Sequence, residues 1–196
     1  MTKIVGLHGI AKHRGKRLGS ARVGKDEVAR FLTYRGYYHT SFAKPMYKVV
    51  NDVYGIETSN LTDFDKEEKI YQPWDMTLRQ ILQSIGDAFR MLDNEFFLKC
   101  LMVDIGKNAE EGQHVVVSDV RYDNEAEFIR SLGGTVVHVQ RPVDIEKYKI
   151  NPHSSEVGVE RTTDDLDIFN NSTLEHLESQ VVNLTILLAE QLDLNY

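Results

Sequence analysis

The chain has 196 residues, 41% hydrophobic and 27% charged, and its 23 Lys and Arg against 30 Asp and Glu leave a formal net charge of −7. That length supports one substantial core, and the acidic surplus excludes a general nucleic-acid binder, whose affinity comes from clustered cations neutralising phosphates. No apolar run approaches the roughly 18 residues a membrane span needs, and MTKIVGLHG is too soon broken by glycine for a secretory signal, so the expectation is a cytoplasmic protein without a membrane partner. The lone Cys100 excludes an internal disulfide, and in FFLKCLMVDI it reads as core filler.

KIVGLHG, residues 3–9, has the pattern of a short buried strand ending in glycine. Residues 10–18 read as a lengthened loop, ordered only around a ligand, with the basic run Lys12 to Arg17 either a solvated loop or a phosphate-attracting flap. GSARVGKD, from Gly19 to Asp26, then satisfies G-x-x-x-x-G-K, the phosphate-loop pattern, except that Asp26 stands where Ser or Thr holds a metal. GKDEVARFLTYRG follows as a helix with Val28, Phe31 and Leu32 on one face, closed by Gly36. Strand, loop and helix in that order are the context a phosphate loop requires, because the helix N-terminus adds free N–H groups to the anion site.

YHTSF, residues 38–42, is a second strand, and AKPMYKVVNDVYG a helix with proline in its first turn. Residues 57–73 are polar and carry no assignment. A helix from about Thr77 places Leu78, Ile81, Leu82, Ile85 and Phe89 on its apolar side and Arg79, Gln83, Gly86 and Arg90 along another stripe. A further helix runs from about Asn94 to Lys107. HVVVSDV is the continuous β-branched run of a strand covered on both faces, and NEAEFIRSLGG with TVVHVQRP supplies helix and strand again. Residues 142–167 lack apolar periodicity and read as a lid or long loop, before a last helix over about 174–192 that buries Leu177, Val181, Leu184 and Leu188. Alternating strands and helices predict an α/β fold with a mainly parallel sheet, and in such folds ligands collect at the carboxyl ends of the strands.

Lys25 is placed to span the β- and γ-phosphates of a donor nucleotide. Asp119 and Arg121, in SDVR at the end of the apolar strand, are an acid suited to Mg²⁺ or to an acceptor proton, and a cation beside it. Asp26 either flanks the same cation with Asp119 or orients the acceptor phosphate. The forked guanidinium groups of Arg79, Arg90 and Arg121, with the Gln83 amide, suit a second anion. Arg141, Lys147, Lys149 and Arg161 lie in or beside the lid span, and Tyr38, Phe42, Tyr47, Trp74 and Phe89 are candidates to stack on a base, or core residues.

Six segments in order resemble the bacteriophage-type deoxynucleoside monophosphate kinases of the P-loop superfamily: the GKD end of the loop, SFAKPMYKVV, TLRQILQSIGDAFR, VVVSDVRYDNEAEFIRSLGGTVVHVQRP, HSSE and DLDIFNNSTLEHL. Asp after Gly-Lys is usual there. The resemblance implies a three-layer α/β/α P-loop kinase fold, with an acceptor-binding helical region at about 43–110 and a mobile lid at about 142–167. It implies transfer of the γ-phosphoryl group of ATP, with Mg²⁺, to a 2′-deoxynucleoside 5′-monophosphate, and a possible homodimer. Donor contacts map to Gly19, Arg22, Val23, Gly24, Lys25, Asp26, Arg141 and Asn170. Acceptor contacts map to Phe42, Lys44, Trp74, Arg79, Gln83, Arg90, Arg121, Asn124, His153 and Glu156, with Asp26 and Asp119 toward the metal. Two features depart from the family: the enlarged loop between Gly9 and Ala21, and NNST where relatives often carry Asn-Asp-Gly. A kinase for another small acceptor such as dephospho-coenzyme A, or a non-catalytic ATP-sensing module, stands as the alternative.

Overall fold

A computed structural model describes residues 2–19, 22–144 and 158–193, and the chain divides into two compact units: residues 1–41 with 104–196, and residues 42–103. The first unit is built on a six-stranded sheet. Its strands are β1 (Ile4–His13), β2 (Lys16–Gly19), β3 (Tyr38–Thr40), β6 (Val115–Val120), β7 (Thr135–Pro142) and β8 (Leu166–Phe169). Five of them lie in the order β3-β6-β1-β7-β8 with every neighbouring pair parallel, and β2 joins antiparallel to β1. β1 therefore sits between β6 and β7, the point in a doubly wound sheet where a crevice opens at the carboxyl edge.

The alternation of β1 explains the layers. Val5 and Leu7 project into a core shared with Val28, Phe31 and Leu32 of α1 (Lys25–Thr33) and Leu177, Val181, Leu184 and Leu188 of α7 (Leu174–Asp193). Gly6, out of phase, faces Ile129 of α6 (Asp123–Ser131) on the other side, completing the three-layer α/β/α arrangement.

Three sequence readings change. β1 does not stop at Gly9: it runs to His13, turns through Arg14 and Gly15, and returns as β2, so residues 10–18 form an ordered hairpin rather than a ligand-dependent loop. Both turn residues have positive φ, 47° and 81°, the two-residue geometry whose twist matches the strands it joins. β8 begins at Leu166, inside the span read as structureless, and continues to Phe169 because it pairs with buried β7 residues from Val137 to Gln140. The span once left without assignment holds α3 (Asp63–Glu67), opened by a capping box between Thr62 and Asp65, and β4 (Ile70–Tyr71), which pairs with β5 (Met76–Thr77).

The second unit also contains α2 (Lys44–Asp52), α4 (Leu78–Leu92) and most of α5 (Phe96–Asn108). α4 starts at the expected residue because Thr77 and Gln80 satisfy each other's backbone N–H groups in a capping box. Its apolar side buries Leu78, Ile81 and Ile85 against Val50 and Ile56, with Met46, Tyr71, Leu82 and Phe89 packed around them. Among the described residues no helix is long and apolar enough to cross a membrane.

Two glycines separate steric from conformational demands. A Cβ at Gly134 would lie 2.6 Å from the Ile4 carbonyl oxygen and 2.8 Å from that of Ile129, whereas one at Gly106 of α5 meets nothing within 4 Å. Gly134→Ala is expected to cost about 1–3 kcal/mol through forced backbone movement. Gly106→Ala is expected to be neutral or to stabilise by up to about 1 kcal/mol. Urea unfolding midpoints of the two variants check both signs.

Candidate functional site

The phosphate-loop motif lies at the carboxyl edge of the sheet, entered by an unexpected route. Gly19 closes β2, opposite Ala11, so the chain reaches Gly24 and Lys25 from the antiparallel hairpin strand rather than directly from β1. Gly24 caps α1 in the left-handed region, φ 94°, and Arg22 is also left-handed at φ 56°. Lys25 is the first residue of α1 and half-buried, while Asp26 beside it is exposed. The loop residue Val23 is buried in the main core, which anchors the turn.

Asn170, just past β8, holds this turn from the side. Its Nδ2 donates to the Val23 carbonyl at 3.0 Å, its backbone N–H donates to Gln140 O at 2.8 Å, and a Cβ on Gly24 would run into the same amide. In this unit Asn170, which the family resemblance maps to the donor contacts, braces the phosphate loop. Arg141 Nη1 reaches the Arg22 carbonyl at 3.3 Å, so the cation next to the lid span is already beside the loop.

Under the hairpin sits a buried polar chain that sequence reading passed over. His8, fully buried on β1, donates from Nδ1 to Val120 O and accepts at Nε2 from Arg17 Nη1 of β2, both at 2.9 Å. The neutral Nδ1–H tautomer is the form that satisfies both contacts. Burial, reinforced by the positive charges of Arg17 and Lys25, drives its pKa down to about 3 despite the Val120 hydrogen bond. Its ring lies edge-on to His138 at 5.3 Å, and His138 Nε2 pairs with Asp165 at 2.9 Å. Asp165 is also gripped by Arg130 at 2.7 and 3.0 Å and by Thr162. Burial raises its pKa, but hydrogen bonds from Arg130, His138 and Thr162 outweigh that and hold it at about 2. Gly158, φ 108°, lies against the Arg17 guanidinium, where any Cβ would collide. The only sequence signal was HRGK, a positive-φ turn pair between two strands.

At the end of β6, Asp119 and Arg121 are half-buried. The turn that carries Arg121 is set by Glu125, 2% exposed, whose Oε2 accepts from the Arg121 and Tyr122 N–H groups at 2.9 and 3.3 Å. Asn124, in the first turn of α6, is half-buried. Arg161 makes a bidentate pair with Asp167 on β8, which directs it to the sheet rather than outward. Tyr38 is a structural residue, its hydroxyl donating to Asp104 at 2.9 Å.

In the second unit, Arg79 forms a two-pronged ion pair with Glu67 of α3, through Nε at 2.6 Å and through Nη2. Arg90 folds back across Gly86, where a Cβ would lie 3.1 Å from its Nη1, and its Cζ sits 4.5 Å above the Phe97 ring. Gln83 shares this side of α4, and its Nε2 is buried without a hydrogen-bond partner. Of the proposed base-stacking aromatics, Trp74 is 39% exposed and lies against Tyr54, Phe89 stacks on Phe96, and Phe42 is buried at 2%. Lys44 is exposed at the start of α2. His153, Glu156, Lys147 and Lys149 lie outside the described residues.

The profile of deoxynucleotide monophosphate kinases matches residues 60–181. A putative deoxynucleotide monophosphate kinase of Acanthamoeba polyphaga mimivirus is 30% identical over 187 residues, covering 85% of this chain and 92% of that protein. The chain belongs to the deoxynucleotide monophosphate kinase family. Deoxynucleotide monophosphate kinases of Enterobacteria phage T4 and Escherichia phage RB69 are each 29% identical, over 68% and 54% of this chain and 56% and 43% of their own lengths. The matched region runs from the second unit into the first, taking in α4, β6, α6, β7 and the Asn170 turn.

The family resemblance implies a magnesium-bound nucleotide, and the residues here fit a metal held mainly by phosphate. Among the described residues no group of three or more His, Cys, Asp and Glu forms a metal cage, and the available donors are the single carboxylates of Asp26 and Asp119. Mg²⁺ keeps several waters and takes one or two carboxylates plus substrate oxygens, so this donor set suits it.

The buried histidine makes a testable statement about acid. Between pH 6.5 and about 3 the unfolded chain protonates His8 and the folded chain does not, so stability falls as pH drops through that window. Burial lowers the pKa of His138 as well, adding to the slope. Urea unfolding is expected to lose up to about 1.4 kcal/mol per pH unit per buried histidine below pH 6. An imidazole resonance of His8 that titrates above pH 5 would contradict this reading.

Proposed function

We propose that the chain transfers the γ-phosphoryl group of ATP to a 2′-deoxynucleoside 5′-monophosphate, forming the diphosphate for DNA precursor synthesis. The observation that carries the reading is the left-handed Gly24 turn presenting Lys25 at the head of α1, beside the carboxyl ends of β1 and β6. A kinase-family chain with this loop has a donor-phosphate cradle. The exposed backbone N–H groups of the first helical turn and the Lys25 ammonium grip the β- and γ-phosphates, while Asn170 and Val23 keep the turn from opening.

Two anions must be brought together, dried and neutralised, because phosphoryl transfer depends on positioning and electrostatics more than on covalent participation by the protein. Arg121, with its backbone fixed by Glu125, and Arg141 next to the loop supply cations for the moving group. Asp119 and Asp26 would hold a magnesium ion, which would supply neutralisation of phosphate charge. Arg79, Gln83 and Arg90 present guanidinium and amide donors for the acceptor phosphate. Glu67 keeps the Arg79 fork planar and aimed until a phosphate competes for it. Family membership and the phosphate loop support this reading over a nucleotide-sensing module, which has no use for a second set of phosphate donors.

Lys25→Met is expected to keep the wild-type circular dichroism spectrum and unfolding midpoint while kcat falls about 10²–10⁴-fold. Wild-type turnover in that variant would remove Lys25 from the mechanism. Arg79→Met is expected to raise the acceptor KM about tenfold or more while leaving the ATP KM within a factor of about two, since only acceptor binding loses a charge-assisted contact. A coupled ADP-release assay over the four deoxynucleoside monophosphates, their ribose counterparts and dephospho-coenzyme A measures both and identifies the acceptor.

A further inference from the structure

The opposite edge of the same sheet carries a second polar cavity. Lys3, Tyr37 and His114 immediately precede the parallel strands β1, β3 and β6, which places all three at the amino edge, remote from the phosphate loop. Lys3 and His8 are five residues apart on one strand, about 17 Å at 3.3 Å per residue. Lys3, Tyr37 and His114, with Arg35 after α1 and Thr185, Leu188 and Ala189 of α7, line a cavity of about 430 Å³, all within the first unit.

The lining is rich in donors. Lys3 is only 9% exposed, and among the described residues no carboxylate pairs with its ammonium group. Its stem is buried, and its ammonium is a cation lining the cavity for which no described carboxylate competes. Arg35 Nη1 is spent on the Phe31 carbonyl at 2.9 Å, but Nη2 has only a 3.5 Å approach from the exposed Glu178. His114 Nδ1 accepts the Lys3 backbone N–H at 3.2 Å, so in the neutral ring Nε2 carries the proton and is a donor. The Thr185 hydroxyl is spent on the Val182 carbonyl at 2.7 Å. The rest of the wall is flat or apolar: the Tyr37 ring lies 5.2 Å from that of His114, and Leu188 is buried beside them.

Two cations and an imidazole N–H match an anion with several oxygens, and the volume is within the range of small-molecule sites but well beyond one phosphate ion. The aromatic and aliphatic wall suits a ring attached to that anion. We propose that this cavity is a second nucleotide site, separate from the phosphate loop, which binds the phosphate of a nucleoside phosphate on Lys3 and Arg35 and its base against Tyr37, His114 and Leu188.

Amide-resolved NMR titration of the full chain with thymidine 5′-monophosphate tests it, with thymidine and inorganic phosphate titrated separately. The expected result is saturable shifts at the amides of residues 3, 35, 37, 114 and 185. Lys3→Met and Arg35→Met should each weaken them about tenfold or more, as should removal of either the phosphate or the nucleoside from the ligand. Lys3→Met should also keep the wild-type fold and melting temperature, because an apolar chain of similar length replaces the buried stem. If Lys3→Met fails to fold, Arg35→Met at the rim decides the matter. The absence of shifts at these amides, or their persistence at unchanged affinity in the variants, would overturn the site. Inorganic phosphate binding as tightly as the nucleotide would overturn its assignment to a nucleoside phosphate.

Discussion

The contact on which the rest of the donor side depends is the one at His8. A strand buried on both faces normally carries apolar side chains, and here it carries an imidazole at the point where the pairing of β1 with β6 ends. Both nitrogens of this group are satisfied, by a β6 carbonyl on one side and an arginine of the returning strand on the other. That pair of bonds fixes where β2 lies over β1. It thereby fixes where Gly19 delivers the chain into the phosphate turn.

A phosphate loop entered from a hairpin has a different mechanical footing from one entered straight off the first strand. β1 pairs with β7 as far as Lys12 opposite Pro142, so the hairpin stands on the sheet instead of moving freely above it. Asn170 at the end of β8 braces the far side of the turn, and Arg141 at the end of β7 touches its Arg22 carbonyl. Three strands thus converge on one short segment. Preorganisation of this kind lets backbone N–H groups meet an anion without first being ordered, which is where much of the affinity of such loops originates. The chain from Arg17 through His8 and His138 to Asp165 and Thr162 also joins this hairpin to the end of the span read as a lid.

The overall acidity is no obstacle to holding anions, since the cations occupy particular positions and not a general field. Arg79 is neutralised by Glu67 and Arg161 by Asp167, while Arg90 rests on an aromatic face. These partners keep long side chains in defined orientations, which reduces the entropy lost when a ligand is bound. At the amino edge, the ammonium group of Lys3 has no such carboxylate partner among the described residues.

Much of the frame was legible in the sequence because periodicity and capping are local. The apolar stripe of α4 and its Thr77 start, the β-branched run of β6, the span of β7 and the G-x-x-x-x-G-K spacing each depend on residues within a few positions of one another. The sequence by itself determined the α/β class, the position of the phosphate turn at the head of α1 and the kinase family. Tertiary structure alone decided that β1 runs on into a hairpin, that β8 forms, and that Asn170 braces Gly24, because each depends on a partner far along the chain. β8 exists because β7 offers an open edge, and His8 is permitted in the core because Val120 and Arg17 reach it. Hydrogen-bond satisfaction in a buried sheet is a property of neighbours in space, and no window of residues along the chain contains it.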